Sequence, residues 1–156
     1  MYKEEFMKEA IALAHKCMED GQGGPFGVVI VKDGEIVGRG RNRVTADNDP
    51  TAHAEVMAIR DACQRLDTFQ LDGCEIYTSC EPCPMCFGAI YWAHISKIYF
   101  AADHFDATDA GFDDSFIYKE ISLHKVERSI PFEQHKRDAA VKVFEDWKNW
   151  DDKIAY

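Results

Sequence analysis

Two short clusters, Thr51-Ala52-His53-Ala54-Glu55 and Cys80-Glu81-Pro82-Cys83-Pro84-Met85-Cys86, constrain this chain more than any other feature. Imidazole nitrogen and thiolate sulfur are common zinc ligands, so a fold that uses both must bring two distant segments to one point. An apolar-periodic stretch from about Thr51 to Leu66 reads as a helix, with Val56, Ile59, Cys63 and Leu66 on one side. Pro84 suits the first position of a second helix over roughly 84–93. Cys83 and Cys86, three apart, fall on one side of that helix start. Side chains there tilt past the N-terminus, where free N–H groups and the helix dipole favour thiolate. His53, Cys83 and Cys86 together supply the three protein ligands of a catalytic zinc, whose fourth position belongs to water. Cys80 offers an alternative, a closed four-ligand structural site, but it then leaves Glu55 without a task. A cysteine ending a strand is also commonly plain core.

The remaining elements alternate in type. Residues 3–19 place Phe6, Ala10, Leu13, Ala14 and Cys17 on one helical face. Phe26–Lys32 and Glu35–Arg41 read as strands joined by Asp33-Gly34, a strong hairpin signal. Residues 42–50 read as a polar loop, Cys74–Thr78 and Lys97–Ala102 as further strands, and 103–113 as a loop. Helices are predicted over 114–121 and 137–150, Trp147 and Trp150 packing the last one. The order predicts one α/β domain over 1–156 with a mixed central sheet. Ligands of such folds collect at the carboxyl edge of the sheet. Cys17, Cys63 and Cys74 fit core positions; His15, His94, His104, His124 and His135 read as surface or helix-end histidines.

The chain has 156 residues and a net charge of −10. That balance disfavours a nucleic-acid partner, since such affinity leans on phosphate neutralisation by basic groups; Arg39, Arg41 and Arg43 are the best counter-argument. No apolar run approaches the ~18 residues of a membrane span, and acids stand where a signal peptide would be apolar. A cytoplasmic protein without a membrane partner is expected.

Zinc lowers the pKa of bound water to near 7. A carboxylate that is not a ligand can then take the water's proton and pass it to a leaving amino group; Glu55 is the candidate. His53-Ala54-Glu55 with Pro82-Cys83-Pro84-Met85-Cys86 stands as H-x-E…P-C-x-x-C, the zinc deaminase signature. The chain resembles the cytidine/deoxycytidylate deaminase superfamily, and within it the short bacterial guanine deaminases. The likeness includes Gly23–Gly27, Asn48–Glu55, Tyr77–Cys86 and above all Ala110–Glu120. It implies a three-layer α/β/α cytidine-deaminase-like fold, one zinc ion per chain, and hydrolysis of guanine to xanthine and ammonia in purine catabolism or salvage. It further implies that Asn42 hydrogen-bonds the purine, that Phe26 packs against it, and that Ala54 belongs to the substrate site. Asp114 would be a second carboxylate near the leaving amino group, and Tyr156 would cap the pocket. The resemblance also implies a homodimer in which a segment of about 115–156 can be exchanged between subunits. The competing readings are a tRNA adenosine deaminase, a deaminase of another free base such as cytosine, and a zinc-stabilised interaction module without catalysis.

Overall fold

Strands and helices alternate as expected in the computed structural model, which describes residues 1–156. The chain divides into two compact units, Met1–Ser115 and Phe116–Tyr156. The first runs α1 (Glu4–Glu19), β1 (Gly27–Lys32), β2 (Glu35–Arg41), α2 (Val44–Asp47), α3 (Ala54–Leu66), β3 (Glu75–Cys80), α4 (Pro84–Trp92), β4 (Lys97–Ala102) and α5 (His104–Asp109). The sheet order is β2-β1-β3-β4. β1 pairs antiparallel with β2 and β3, and β3 pairs parallel with β4, giving the expected mixed sheet.

Strand periodicity builds the layers. Successive side chains of β1 point to opposite faces, so Val28 and Ile30 join α3, Ile76 and Ile90 in one apolar cluster, while Val29 and Val31 join Phe6, Met7 and Tyr77 in the other. α1 therefore covers one face and α3 with α4 the other, a three-layer α/β/α arrangement. The Asp33-Gly34 turn closes the hairpin with positive φ at both residues, 52° and 84°, as a type I′ turn requires.

The side of α3 that goes deepest is not the predicted one. Ala54, Ala58 and Ala62 are fully buried, while Ile59, Cys63 and Leu66 only flank the core. Small side chains win because α3 lies almost directly on the edge strand β2. A methyl group at Gly38 would stand 2.7 Å from both the Ala58 carbonyl oxygen and Ala62 Cβ, and one at Gly40 would run into the Ala54 carbonyl. Gly40→Ala is expected to destabilise the fold by about 1–3 kcal/mol, as overpacking does. A lowered denaturant midpoint checks this; an unchanged midpoint would contradict the close α3–β2 approach.

Several boundaries differ from expectation. α3 begins at Ala54 rather than Thr51, because Thr51 is taken up in a turn in which its N–H and hydroxyl both donate to Asp49 Oδ1, at 2.8 and 2.6 Å. The polar stretch 42–50 contains α2, ended by Asn48 in the left-handed region. The predicted loop 103–113 contains α5, held by a capping box: Asp103 accepts from the N–H groups of Phe105 and Asp106, and Asp106 accepts from Asp103 N–H. β3 runs two residues beyond Thr78 and ends on Cys80.

The second unit carries α6, which begins at the boundary (Ser115–Ser122), a short 3₁₀ turn and α7 (Arg137–Lys148). Glu120 accepts from Ser129 N–H and hydroxyl at 2.8 and 3.0 Å. Trp147 of α7 and Trp150 just beyond it, predicted to pack the last helix, are 46% and 58% exposed. No helix is long and apolar enough to cross a membrane.

Candidate metal centre

Two helix starts meet at one point. His53 is the N-cap of α3, Cys83 the N-cap of α4, and Cys86 lies in the first turn of α4, whose first residue is Pro84. The approach to His53 is pinned by Arg43 N–H donating to Ala52 O at 2.9 Å, and the turn before Cys83 by Glu81 N–H donating to Ala102 O at 2.8 Å. His53 Nδ1 stands 3.5 Å from Cys83 Sγ and 3.5 Å from Cys86 Sγ. All three ligand atoms lie within 4.8 Å of one another. Zinc–sulfur bonds of about 2.3 Å and zinc–nitrogen bonds of about 2.0–2.1 Å at tetrahedral angles put nitrogen and sulfur about 3.6 Å apart. The group thus has the donor set and the spacing of a tetrahedral zinc site with three protein ligands.

The electrostatics of the cluster concentrate negative charge. A hydrogen bond from Cys86 and the neighbouring His53 imidazole bring the Cys83 thiol down to about 4, against the effect of burial. The same hydrogen bond, with burial, pushes Cys86 up. Glu55, the second residue of α3, is buried at 7% exposure and hydrogen-bonds Cys86. Burial pushes its carboxyl up, the direction that lets a carboxylic group both accept and return a proton near neutral pH. Cys80 stands outside the group of three. Its sulfur lies 3.7 Å from Asp103 O, turned to the main chain rather than to the other three ligand atoms, and burial pushes its thiol up to about 11.

Asn42 is buried, and its Oδ1 accepts from Val44 N–H at 3.1 Å. That donor needs an oxygen opposite it, which fixes the amide and leaves Nδ2 to donate. The ordinary role of a loop asparagine, capping a turn, is therefore present. Phe26 is partly buried against the core and meets Phe112 edge-on, centroids 4.9 Å apart at 84°. Ala54 is fully buried at the head of α3. Asp114 has a buried Oδ1 without a partner; burial, then the Cys83 charge, push its carboxyl up. Asp113 serves the ordinary role, accepting from Ser115 N–H at 2.9 Å at the head of α6. Tyr156 belongs to the second unit and is 76% exposed.

His104, taken from sequence as a surface or helix-end histidine, opens α5 and bonds Glu81. No sequence signal marks it, because its partner Glu81 lies in another segment. Arg39, Arg41, Arg43, Arg60 and Arg65 line a cleft of about 410 Å³. Each guanidinium there already has a carboxylate: Glu9, Asp20, Asp47, Asp49 and Asp61 respectively. The basic stripe read from the sequence is therefore internally neutralised.

Comparison with known proteins agrees with this geometry. The family described as the cytidine and deoxycytidylate deaminase zinc-binding region matches residues 1–102. The chain is 56% identical to the guanine deaminase of Bacillus subtilis (strain 168) over 156 residues, covering 100% of both chains. The X-ray structure of guanine deaminase from Bacillus subtilis superimposes with a TM-score of 0.96, covering 100% of this chain and 99% of that one. A tRNA-specific adenosine deaminase of Aquifex aeolicus is 47% identical over 102 residues, 65% of this chain and 67% of that protein. The chain belongs to the cytidine and deoxycytidylate deaminase zinc-binding family, and within it to the group that includes the guanine deaminase of Bacillus subtilis.

Proposed function

We propose that this chain hydrolyses guanine to xanthine and ammonia, with one zinc ion held by His53, Cys83 and Cys86. The observation that carries the reading is the meeting of those three ligand atoms beside a buried acid, Glu55, that is not one of them. Zinc bound there supplies a hydroxide-like nucleophile at neutral pH by lowering the pKa of water to near 7. Glu55 receives the proton that the water gives up as its oxygen bonds to the amino-bearing ring carbon. It returns that proton toward the departing nitrogen, so that one of water's hydrogens leaves with the amino group as ammonia, while the other ends on a ring nitrogen and the oxygen stays on the ring carbon. Asp114, with an unpaired buried oxygen, accepts from the amino group as it departs. Asn42 Nδ2 donates to the purine, Phe26 packs against its face, and Ala54 shapes the floor at the head of α3.

Tyr156 caps the pocket in a homodimer whose segment of about 115–156 is exchanged between subunits. The exposed Phe144, Trp147 and Trp150 of that segment are surfaces a second copy would cover. The enzyme works in the cytoplasm, in purine catabolism or salvage.

Two observations weigh against tRNA as the substrate. The arginines that could track a phosphate backbone are each paired with an acid, and identity to the guanine deaminase is 56% over the whole chain, against 47% over 65% of it for the Aquifex aeolicus tRNA-specific adenosine deaminase. Ammonia release from guanine, adenine, cytosine and tRNA, measured side by side, is expected to be fastest with guanine. Turnover of tRNA alone would replace this reading.

A further inference from the structure

Glu81 and His104 have no task in the reaction above, yet they join the metal-bearing turn to the segment that carries Asp114. Glu81 lies between β3 and α4, two residues before Cys83. Its Oε2 accepts from the backbone N–H of His104 at 3.1 Å and stands 3.0 Å from His104 Nδ1. One carboxylate oxygen thereby holds both the main chain and the ring of the first residue of α5. The junction is tied twice more, by Glu81 N–H to Ala102 O at 2.8 Å and by Cys80 Sγ to Asp103 O at 3.7 Å.

From that anchored head, hydrogen bonds and a ring contact lead toward the candidate site. Asp103 caps α5 through the reciprocal bonds with Asp106. Beyond α5, Phe112 N–H donates to Ala107 O at 2.9 Å, and the Phe112 ring meets Phe26. Asp114 follows two residues later, its Oδ1 buried and without a partner. Buried polar oxygens are almost always paired, so something fixed in the surroundings has to hold this one in place. His104 is near enough to attract the Asp114 carboxylate, and Cys83 near enough to repel it.

We propose that Glu81 and His104 are positioning residues for Asp114: by clamping the head of α5 to the turn that bears Cys83, they set the place of the unpaired Asp114 oxygen relative to the metal ligands. This rests on the reading of Asp114 as the second carboxylate. A charge-assisted clamp suits the task, because two bonds to one oxygen fix the orientation of the ring as well as its position.

The test uses the full zinc-loaded protein with His104→Ala, His104→Asn, Asp114→Asn and the His104→Ala/Asp114→Asn pair. Asparagine can place a donor N–H where Nδ1 stands and so restores the bond to Glu81. In the resting protein, the carboxyl ¹³C shift of Asp114 is expected to move in His104→Ala and to return toward the wild-type value in His104→Asn. With guanine, His104→Ala is expected to lower kcat about tenfold, the low end of effects at residues that support a metal site. KM should stay within about twofold and zinc content should not change. In the Asp114→Asn background the same change is expected to cost nothing further, since residues acting as one unit are non-additive. An Asp114 shift in His104→Ala equal to wild type, or losses that multiply, would overturn the proposal. If His104→Ala does not fold, Glu81→Gln, which keeps an acceptor for His104 N–H but not the charge, is read the same way. Wild-type protein inactive on guanine would instead refute the proposed reaction, while the ¹³C measurement would still decide the positioning role.

Discussion

Glu55→Gln is expected to bind its full complement of zinc and to lose guanine turnover by at least about 10²–10⁴-fold, the usual worth of a positioned acid–base group. Glutamine matches the size of glutamate, so the packing at the head of α3 survives. It cannot accept a proton, so the attacking water keeps both of its hydrogens and the amino group has no donor. The buried setting sharpens the effect. At 7% exposure, bulk water has little access to take over the shuttle. The split to look for is in kcat: a group acting on moving protons changes turnover more than the affinity for guanine. Ammonia release together with metal analysis checks both halves. Turnover close to wild type would remove Glu55 from the mechanism, and loss of zinc would mean that it is a ligand.

Removal of the metal has the other large effect. His53→Ala, or exhaustive chelation of the wild type, is expected to abolish guanine turnover, and zinc added back to the chelated protein to restore it. The chain should remain folded meanwhile. The two apolar clusters that build the layers include none of His53, Cys83 or Cys86. Stability should nonetheless fall, because a ligand that binds only the native state stabilises it in proportion to the logarithm of its saturation. Circular dichroism melts with and without chelator measure this. Complete unfolding of the chelated protein would mark the zinc as a structural ion on which the core depends.

The candidate centre was largely legible in the sequence, and so was the fold that supports it. His53, Cys83 and Cys86 announce themselves because zinc chemistry admits few residue types, and Pro84 marks the helix start that presents two of them. The hairpin at Asp33-Gly34 and the strand Lys97–Ala102 fall where local chemistry put them. What local pattern did not reveal depends on contacts between distant segments. Alanine is a weak hydrophobic signal, so the Ala54–Ala58–Ala62 face was outweighed by larger residues until Gly38 and Gly40 brought α3 against β2. The helix α5 is short and mostly polar, and only the Asp103–Asp106 box could have revealed it. Arg39, Arg41 and Arg43 looked like a stripe because their acids lie off the strand: Glu9 in α1, Asp20 just past its end and Asp47 in α2. His104 could not be told from other histidines, since its partner Glu81 lies in another segment.

X-ray absorption at the zinc edge of the purified protein tests the central claim most directly, because it counts the atoms around the metal. Two sulfurs at about 2.3 Å with two nitrogen or oxygen neighbours at about 2.0–2.2 Å are expected, and the same spectrum is expected from Cys80→Ala. A third sulfur in the wild type, lost in Cys80→Ala, would mean that no position is open to water and would contradict the account.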